Sequence, residues 1–136
     1  MNVIVDTSVW SMALRKGKNI SDQTAFAQVS TLEKLIKNGS VILLGAIRQE
    51  LLSGIRFQEQ YDKLKARLRK FSDLPLETED YELAAQYFND CRRNGIKGSN
   101  TDFLICAVAN RHRYSILTAD NDFEHFRQHI PVNLIQ

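Results

Sequence analysis

Two short, unbroken apolar runs frame a chain that is otherwise amphipathic: Asn2-Val3-Ile4-Val5, closed by Asp6, and Ser115-Ile116-Leu117-Thr118-Ala119, closed by Asp120. Runs of this length without polar alternation predict strands covered on both faces, as in a parallel sheet. Val41 to Leu44 predicts a second strand, Leu74 to Leu76 a short third, and Val132 to Leu134 a last one. The segments between them repeat at the helical period. Asp6-Thr7-Ser8 offers an N-cap for a helix through Val9, Trp10, Met12, Ala13 and Leu14 that ends near Lys16-Gly17. Ser21 or Asp22 opens the next, with Ala25, Val29, Leu32, Leu35 and Ile36 turned inward until Asn38-Gly39 stops it. A short helix over 46–53 carries Ile47, Leu51 and Leu52 inward and ends at Gly54. In the following helix Phe57, Tyr61, Leu64, Leu68 and Phe71 recur at steps of four and three, which builds one apolar stripe. Helices over 79–93 and 102–112, the second capped by Ser99-Asn100-Thr101, and a short one over 122–128 complete the pattern. Strands alternating with helices predict an α/β fold, a mostly parallel sheet with helices on both faces.

At 136 residues, 43% hydrophobic and 25% charged, the chain has the size and composition of one globular domain with a core that needs no staples. No apolar run approaches the roughly 18 residues of a membrane span, and Met1 stands so close to the first strand that no signal peptide is expected; a cytoplasmic protein is the expectation. Cys91 and Cys106 fall in helical patterns, without CxxC spacing or partnering histidines, and read as reduced, packed thiols. The formal net charge of +2 decides little.

Four acids stand where such a fold brings side chains together: Asp6, Glu50, Asp102 and Asp120. Each has an ordinary explanation taken singly. Asp6 serves as an N-cap, Glu50 as a solvated helix residue, Asp102 as a first-turn acid favoured by the helix dipole, Asp120 and its neighbour Asp122 as turn and cap residues. Their combination changes the picture. Two of them end strands, and ligands bind at the carboxyl edge of an open parallel sheet, at its switch point. Carboxylates gathered in one cleft raise each other's pKa unless something neutralises them. A divalent cation that prefers oxygen ligands does so, and the lack of a His/Cys cluster favours Mg²⁺ or Mn²⁺ over zinc. Phosphodiester hydrolysis is the chemistry natural to such a site.

Val5-Asp6-Thr7-Ser8, Glu50-Leu51-Leu52-Ser53-Gly54, Asp102-Phe103-Leu104-Ile105-Cys106-Ala107 and Thr118-Ala119-Asp120-Asn121-Asp122-Phe123 together resemble the four signature blocks of the PIN domain. In length and block order the chain is most similar to VapC-type toxins, the ribonuclease halves of toxin–antitoxin pairs. The resemblance implies a three-layer α/β/α sandwich with sheet order 3-2-1-4-5. It also implies Mg²⁺- or Mn²⁺-dependent endoribonuclease activity on structured RNA such as tRNA, a homodimer, and a small cognate antitoxin encoded alongside. Carried over by residue, Asp6, Glu50, Asp102 and Asp120 match the acidic quartet. Asp6 and Asp102 are the expected direct metal ligands, and Asp120 completes the cluster directly or through water. Glu50 is expected to position or deprotonate the attacking water, with ligand and base roles left open. Ser8 and Thr118 match small hydroxyl positions that orient the carboxylates. Of the pair in the last block, Asp120 is the expected ligand and Asp122 the cap of the next helix. Cys106 stands where the family usually has a small residue such as Ala.

RNA binding calls for cations. Arg48, Lys65 and Arg69, in a basic stretch that also holds Arg56, Lys63, Arg67 and Lys70, and a second cluster with Arg92 and Arg93, are the candidates for phosphate contact. Phe57, Tyr61 and Trp10 read as core, dimer or antitoxin surface, and dimerisation is expected around Trp10 and the helix of residues 58–70. A haloacid-dehalogenase-like phosphoryl transferase would need a second acid two residues after Asp6, where this chain has Ser8. A receiver domain would need a phosphoacceptor Asp after the middle strand, and residues 41–44 supply none. The remaining rival is a binding module of the same fold without turnover.

Overall fold

A parallel sheet lies at the centre of the computed structural model, which describes residues 1–15 and 22–135. Strand β1 (Val3–Val5) runs between β2 (Val41–Ile42) and β3 (Ser115–Leu117), in order β2-β1-β3. Val3 pairs with Val41 on one side and with Ser115 on the other, and Val5 pairs with Leu117. All three residues of β1 are fully buried, so both faces are covered by helices, as the unbroken apolar run requires.

The two outer strands expected from sequence shrink to single bridges. Asp73 meets Leu43 and Leu134 meets Ile116, both in parallel sense. Counting these bridges, the sheet runs Asp73, β2, β1, β3, Leu134 across its width, which is the expected spatial order, but among the described residues three strands are regular. Residues 74–76 leave the edge after one bridge and Leu74 N–H is spent on Leu43 O (2.9 Å), while Ile135 N–H bonds Ile116 O (2.9 Å).

Helices α1 (Thr7–Leu14), α2 (Gln23–Lys37), α3 (Gly45–Leu52), α4 (Gln58–Leu68), α5 (Thr78–Arg93), α6 (Asn100–His112) and α7 (Asp122–Phe126) follow the expected order. The expected end near Lys16-Gly17 and the alternative cap Ser21 lie outside the described residues. Asp22 is the cap, its side chain accepting from Thr24 N at 2.9 Å. Gly39 then turns the chain into β2 at φ +67°, a conformation open to glycine at little cost.

Helix α6 differs from the amphipathic pattern: Phe103 through Ala109 are buried without interruption. It is a central helix, packed against α5 on one side and the sheet on another. Phe103 stacks at a tilt on Phe126 (4.7 Å between centroids) and meets Phe88 edge-on. Gly98 lets the chain pass this cluster, since a Cβ there would stand 2.6 Å from Phe126 and 2.9 Å from Phe103. That close approach sets up the Ser99 cap, which starts α6 and places Asp102.

Two apolar assignments change. Phe57 is the residue before α4 rather than part of its buried stripe, and is 57% exposed. Trp10 is 3% exposed and packs edge-on against Phe71 at 5.3 Å, so it belongs to the core and is not available as a dimer or antitoxin surface. Cys91 and Cys106 are free and fully buried. Among the described residues no helix is long and apolar enough to cross a membrane.

Candidate active site

Parallel neighbours end at the same edge of a sheet. The β1 and β3 chains therefore deliver Asp6 and the turn Thr118-Ala119-Asp120 side by side, joined by Asp6 N–H to Leu117 O at 2.9 Å. Asp6 is only 5% exposed. It precedes α1 in the cap position, yet its side chain makes no capping hydrogen bond. Its Oδ2 instead accepts two hydroxyls, Ser8 Oγ at 2.8 Å and Thr118 Oγ1 at 2.9 Å. Ser8 Oγ in turn accepts from Ala119 N (3.0 Å), and Thr118 Oγ1 from Asp120 N (3.0 Å). Burial raises the Asp6 pKa, and the Ser8 and Thr118 hydroxyls oppose that shift by stabilising the anion.

Asp102 arrives from α6. It closes a capping box, its Oδ2 accepting from Ser99 N at 3.1 Å while Ser99 Oγ accepts from Asp102 N at 3.1 Å. Its pKa is raised to about 6, chiefly by burial, with the charges of Asp6 and Asp120 adding to it and the Ser99 hydrogen bonds working against it. The helix-cap reading of Asp102 is thus correct but incomplete, because a cap alone would lower the pKa. Asp120 Oδ1 accepts from Asp122 N at 2.9 Å. Asp122 is the first residue of α7, is exposed, and does not cap it. The capping bond expected of Asp122 is made by Asp120 instead, two residues earlier.

Glu50 stands on the exposed side of α3, where Thr7 Oγ1 donates to its Oε1 at 2.7 Å. Thr7, Gln49, Glu50, Ser53 and Thr101 border one hollow of about 530 Å³, so Glu50 shares a space with the chain neighbours of Asp6 and Asp102. A second hollow of about 390 Å³ lies on the other flank, along Met12, Gln28, Thr118, Asp120 and Arg127. One oxygen of each acid is thereby fixed by a hydrogen bond: Asp6 Oδ2, Glu50 Oε1, Asp102 Oδ2 and Asp120 Oδ1. Thr7, Ser99 and Gln28 take part in this arrangement; Thr7 lies in the first block without a role assigned to it, and Ser99 and Gln28 lie outside the blocks. Their partners lie 43, 3 and 90 residues away respectively, and only the Ser99 capping box was open to discovery from spacing.

Among the described residues no three acidic, histidine or cysteine side chains lie close enough together to hold one ion. Asp6, Asp102 and Asp120 are nevertheless near enough for their charges to couple. The donor set is all oxygen, and Asp102 is biased toward protonation by burial first and by the charges of Asp6 and Asp120 second. These residues fit a hard divalent cation and offer nothing to a soft one.

The cations expected to bind RNA divide into two groups. Arg48 is consumed by the fold: Nε bonds Asp73 Oδ1 at 2.9 Å, and the remaining nitrogens bond the carbonyls of Leu68 (3.0 Å) and Phe71. It ties the end of α4 to α3 through three of its five N–H groups. Arg93 pairs with Asp90. Lys65, Arg69 and Arg92 are exposed, Lys65 over the Tyr61 ring and Arg92 over Phe88. Phe88 lines an apolar hollow of about 430 Å³ that shares Ala46 and Thr101 with the Glu50 hollow.

The sequence profile of the PIN domain matches residues 3–128. Among curated protein sequences none matches the chain. Solved structures similar to it include FitAcB from Neisseria gonorrhoeae, at 23% identity and a TM-score of 0.73 over 98% of this chain and 96% of that one. VapBC2 from Rickettsia felis, bound to a DNA fragment from their promoter, is similar at 20% identity and a TM-score of 0.74, over 99% and 98% of the two chains. A toxin-antitoxin complex from Klebsiella pneumoniae follows at 18% identity and a TM-score of 0.64, over 99% and 97%. At these identities the likeness establishes the fold.

Proposed function

Because the chain belongs to the PIN domain family, we propose that it is a divalent-metal-dependent endoribonuclease acting on structured RNA, with tRNA the first candidate, and the toxin half of a toxin–antitoxin pair. The observation that carries this reading is electrostatic. Asp102 is driven up to about 6 by burial and by the charges of Asp6 and Asp120, in a site whose hydroxyls nevertheless hold Asp6 as an acceptor. Among the described residues no basic side chain pairs with these acids, which suits a cation from outside the chain.

Asp6 and Asp102 would hold Mg²⁺ or Mn²⁺, with Asp120 directly or through water. When bound, the ion neutralises the acids and polarises the phosphoryl group. Ser8 and Thr118 keep Asp6 in one rotamer, so its orientation is set before substrate arrives. Glu50, anchored by Thr7 and exposed at the rim, orients the attacking water and accepts its proton as the water oxygen bonds to phosphorus and the phosphorus–oxygen bond to the leaving nucleotide breaks. Lys65, Arg69, Arg92 and Arg93 are proposed to contact backbone phosphates.

The Klebsiella pneumoniae neighbour is a toxin-antitoxin complex, which supports a cognate antitoxin as the protein partner. A cleft of uncompensated acids suits a basic side chain from such a partner. A homodimer belongs to the same reading, through a surface other than Trp10. The second reading, a binding module without turnover, is favoured by one observation: among the described residues no three of the acids are gathered within reach of a single ion.

Incubating the full chain, free of antitoxin, with a tRNA pool in Mn²⁺, Mg²⁺ or EDTA, beside folded Asp6→Asn, separates the two. Discrete fragments that need both metal and Asp6 are expected. Cleavage that persists in EDTA or in the variant would sink the proposed mechanism, and RNA binding without cleavage would establish the module.

A further inference from the structure

Thr118 is held from both ends of its residue. Its Oγ1 donates to Asp6 Oδ2 and accepts from Asp120 N, while its carbonyl accepts from Gln28 Nε2 at 3.0 Å. Strand β3 ends at Leu117, whose carbonyl is taken by Asp6 N–H. The next carbonyl is therefore the first beyond the ladder, and a side chain from α2, 90 residues away in sequence, receives it. A carbonyl only accepts, so the Gln28 amide must present its NH₂ group there.

Gln28 is half-buried, and the residues around it on α2, Val29, Leu32 and Leu35, are buried in the core, so the donor is mounted on a rigid support. Helix α2 packs against α1, which carries Ser8, and Ser8 Oγ lies 3.4 Å from Thr118 Oγ1. A ring closes: α2 to Thr118, Thr118 to Asp6 and Ser8, and α1 back to α2. We propose that Gln28 is a positioning residue for the acidic site, fixing the 118–120 turn so that one hydroxyl serves Asp6 and Asp120 together. Without the amide, the Thr118–Ala119 peptide is held only through Ala119 N–H on Ser8 Oγ, and the looser turn weakens the hold of the Thr118 hydroxyl on Asp6 Oδ2 and on Asp120 N–H. The proposal rests on the reading of this edge as a metal site.

Two variants of the full chain test it. Gln28→Met keeps length and volume but has no donor, and Gln28→Lys restores a donor on a longer stem. Exchange of the Asp120 amide, followed by NMR without metal, is expected to quicken about tenfold in Q28M while the amides of β1 are unchanged. Protection of the Asp120 amide is expected to recover in large part in Q28K, whereas the Mn²⁺ dissociation constant, expected to rise about tenfold in Q28M, stays raised in Q28K because the added cation repels the ion. Equal exchange and equal Mn²⁺ affinity in wild type and Q28M would overturn the assignment of Gln28 alone. The same loss of Asp120 amide protection in Q28M and Q28K, matched by a fall in Tm, would also overturn it, because packing rather than the donor would then be responsible. Wild-type protein that binds no Mn²⁺ would overturn the metal reading beneath the proposal and Gln28's role toward the ion with it.

Discussion

Thr118 and Asp6, 112 residues apart, share a hydrogen bond of 2.9 Å that ties the exit of one strand to the exit of its parallel neighbour. The same hydroxyl accepts from Asp120 N. Thr118→Val keeps the β-branched shape and leaves a buried carboxylate oxygen with one donor fewer and an amide without an acceptor. A loss of about 1–3 kcal/mol is expected, read as the shift of the urea midpoint. Nuclease turnover should fall about 10- to 100-fold, with Thr118→Ser recovering most of it. Equal turnover in Val and wild type would show that the hydroxyl does not orient Asp6.

Thr7 and Glu50 make the complementary case, because their 2.7 Å bond is exposed. Removing it in Thr7→Val should cost well under about 1 kcal/mol, since water replaces the lost partner. Glu50 would then sample several rotamers, and kcat is expected to drop about tenfold with KM little changed. Steady-state kinetics together with Tm checks this. A large Tm loss, or a change confined to KM, would give Thr7 another role.

What could be read in the chain and what could not divides along physical lines. Asp6 and Asp120 are legible as acids at one sheet edge because each closes an unbroken apolar run, although β3 ends at Leu117 and the turn 118–120 carries Asp120 beyond it. Ser8 and Thr118 were legible only through the block resemblance. Thr7 and Gln28 were not, since a side-chain hydrogen bond across 43 or 90 residues leaves no periodic trace. The outer strands were overread because apolar content at 74–76 and 132–134 marks burial, whereas ladder length depends on where the chain leaves the edge. Phe57 continued a helical stripe on paper, but the helix begins one residue later, at Gln58.

Arg48 illustrates the limit of charge patterning, since a cation in a basic stretch looks the same whether its partner is a phosphate or a carbonyl. In the fold it bonds the carbonyls of Leu68 and Phe71 and pairs with Asp73, which is about half exposed. The ion pair with Asp73 is worth little at that exposure, and the carbonyl bonds at the end of α4 carry the effect. Arg48→Met should lower unfolding stability by about 2 kcal/mol and leave RNA affinity of the folded protein within about twofold, unlike loss of a phosphate contact. Urea titration and filter binding in the same buffer decide between the roles. A large affinity loss at unchanged stability would return Arg48 to the RNA surface.

Asp102 makes the site costly to the metal-free fold, and pH exposes that cost. In the folded chain it protonates near pH 6, against an ordinary value of 3.8. Between those values the folded state holds a proton that the unfolded state lacks, so stability falls as pH rises through the window and the full penalty applies above pH 6. Asp80 runs the other way: burial pushes its pKa up, but the Glu77 N–H and the Arg111 guanidinium more than offset this and hold it below 3.8, so its contribution is lost only in stronger acid. Asn at position 102 keeps an acceptor for the Ser99 cap and carries no charge. The stability difference between Asp102→Asn and wild type cancels the Asp80 effect; without metal it should be near zero at pH 4 and reach about 1–2 kcal/mol in favour of the variant at pH 8, allowing for partial exposure. Adding Mn²⁺ at pH 8 should raise the Tm of wild type and not that of the variant, because only the wild-type site gains from the ion. A difference that stays constant from pH 4 to pH 8 would mean that Asp102 does not carry the raised pKa on which the metal reading depends.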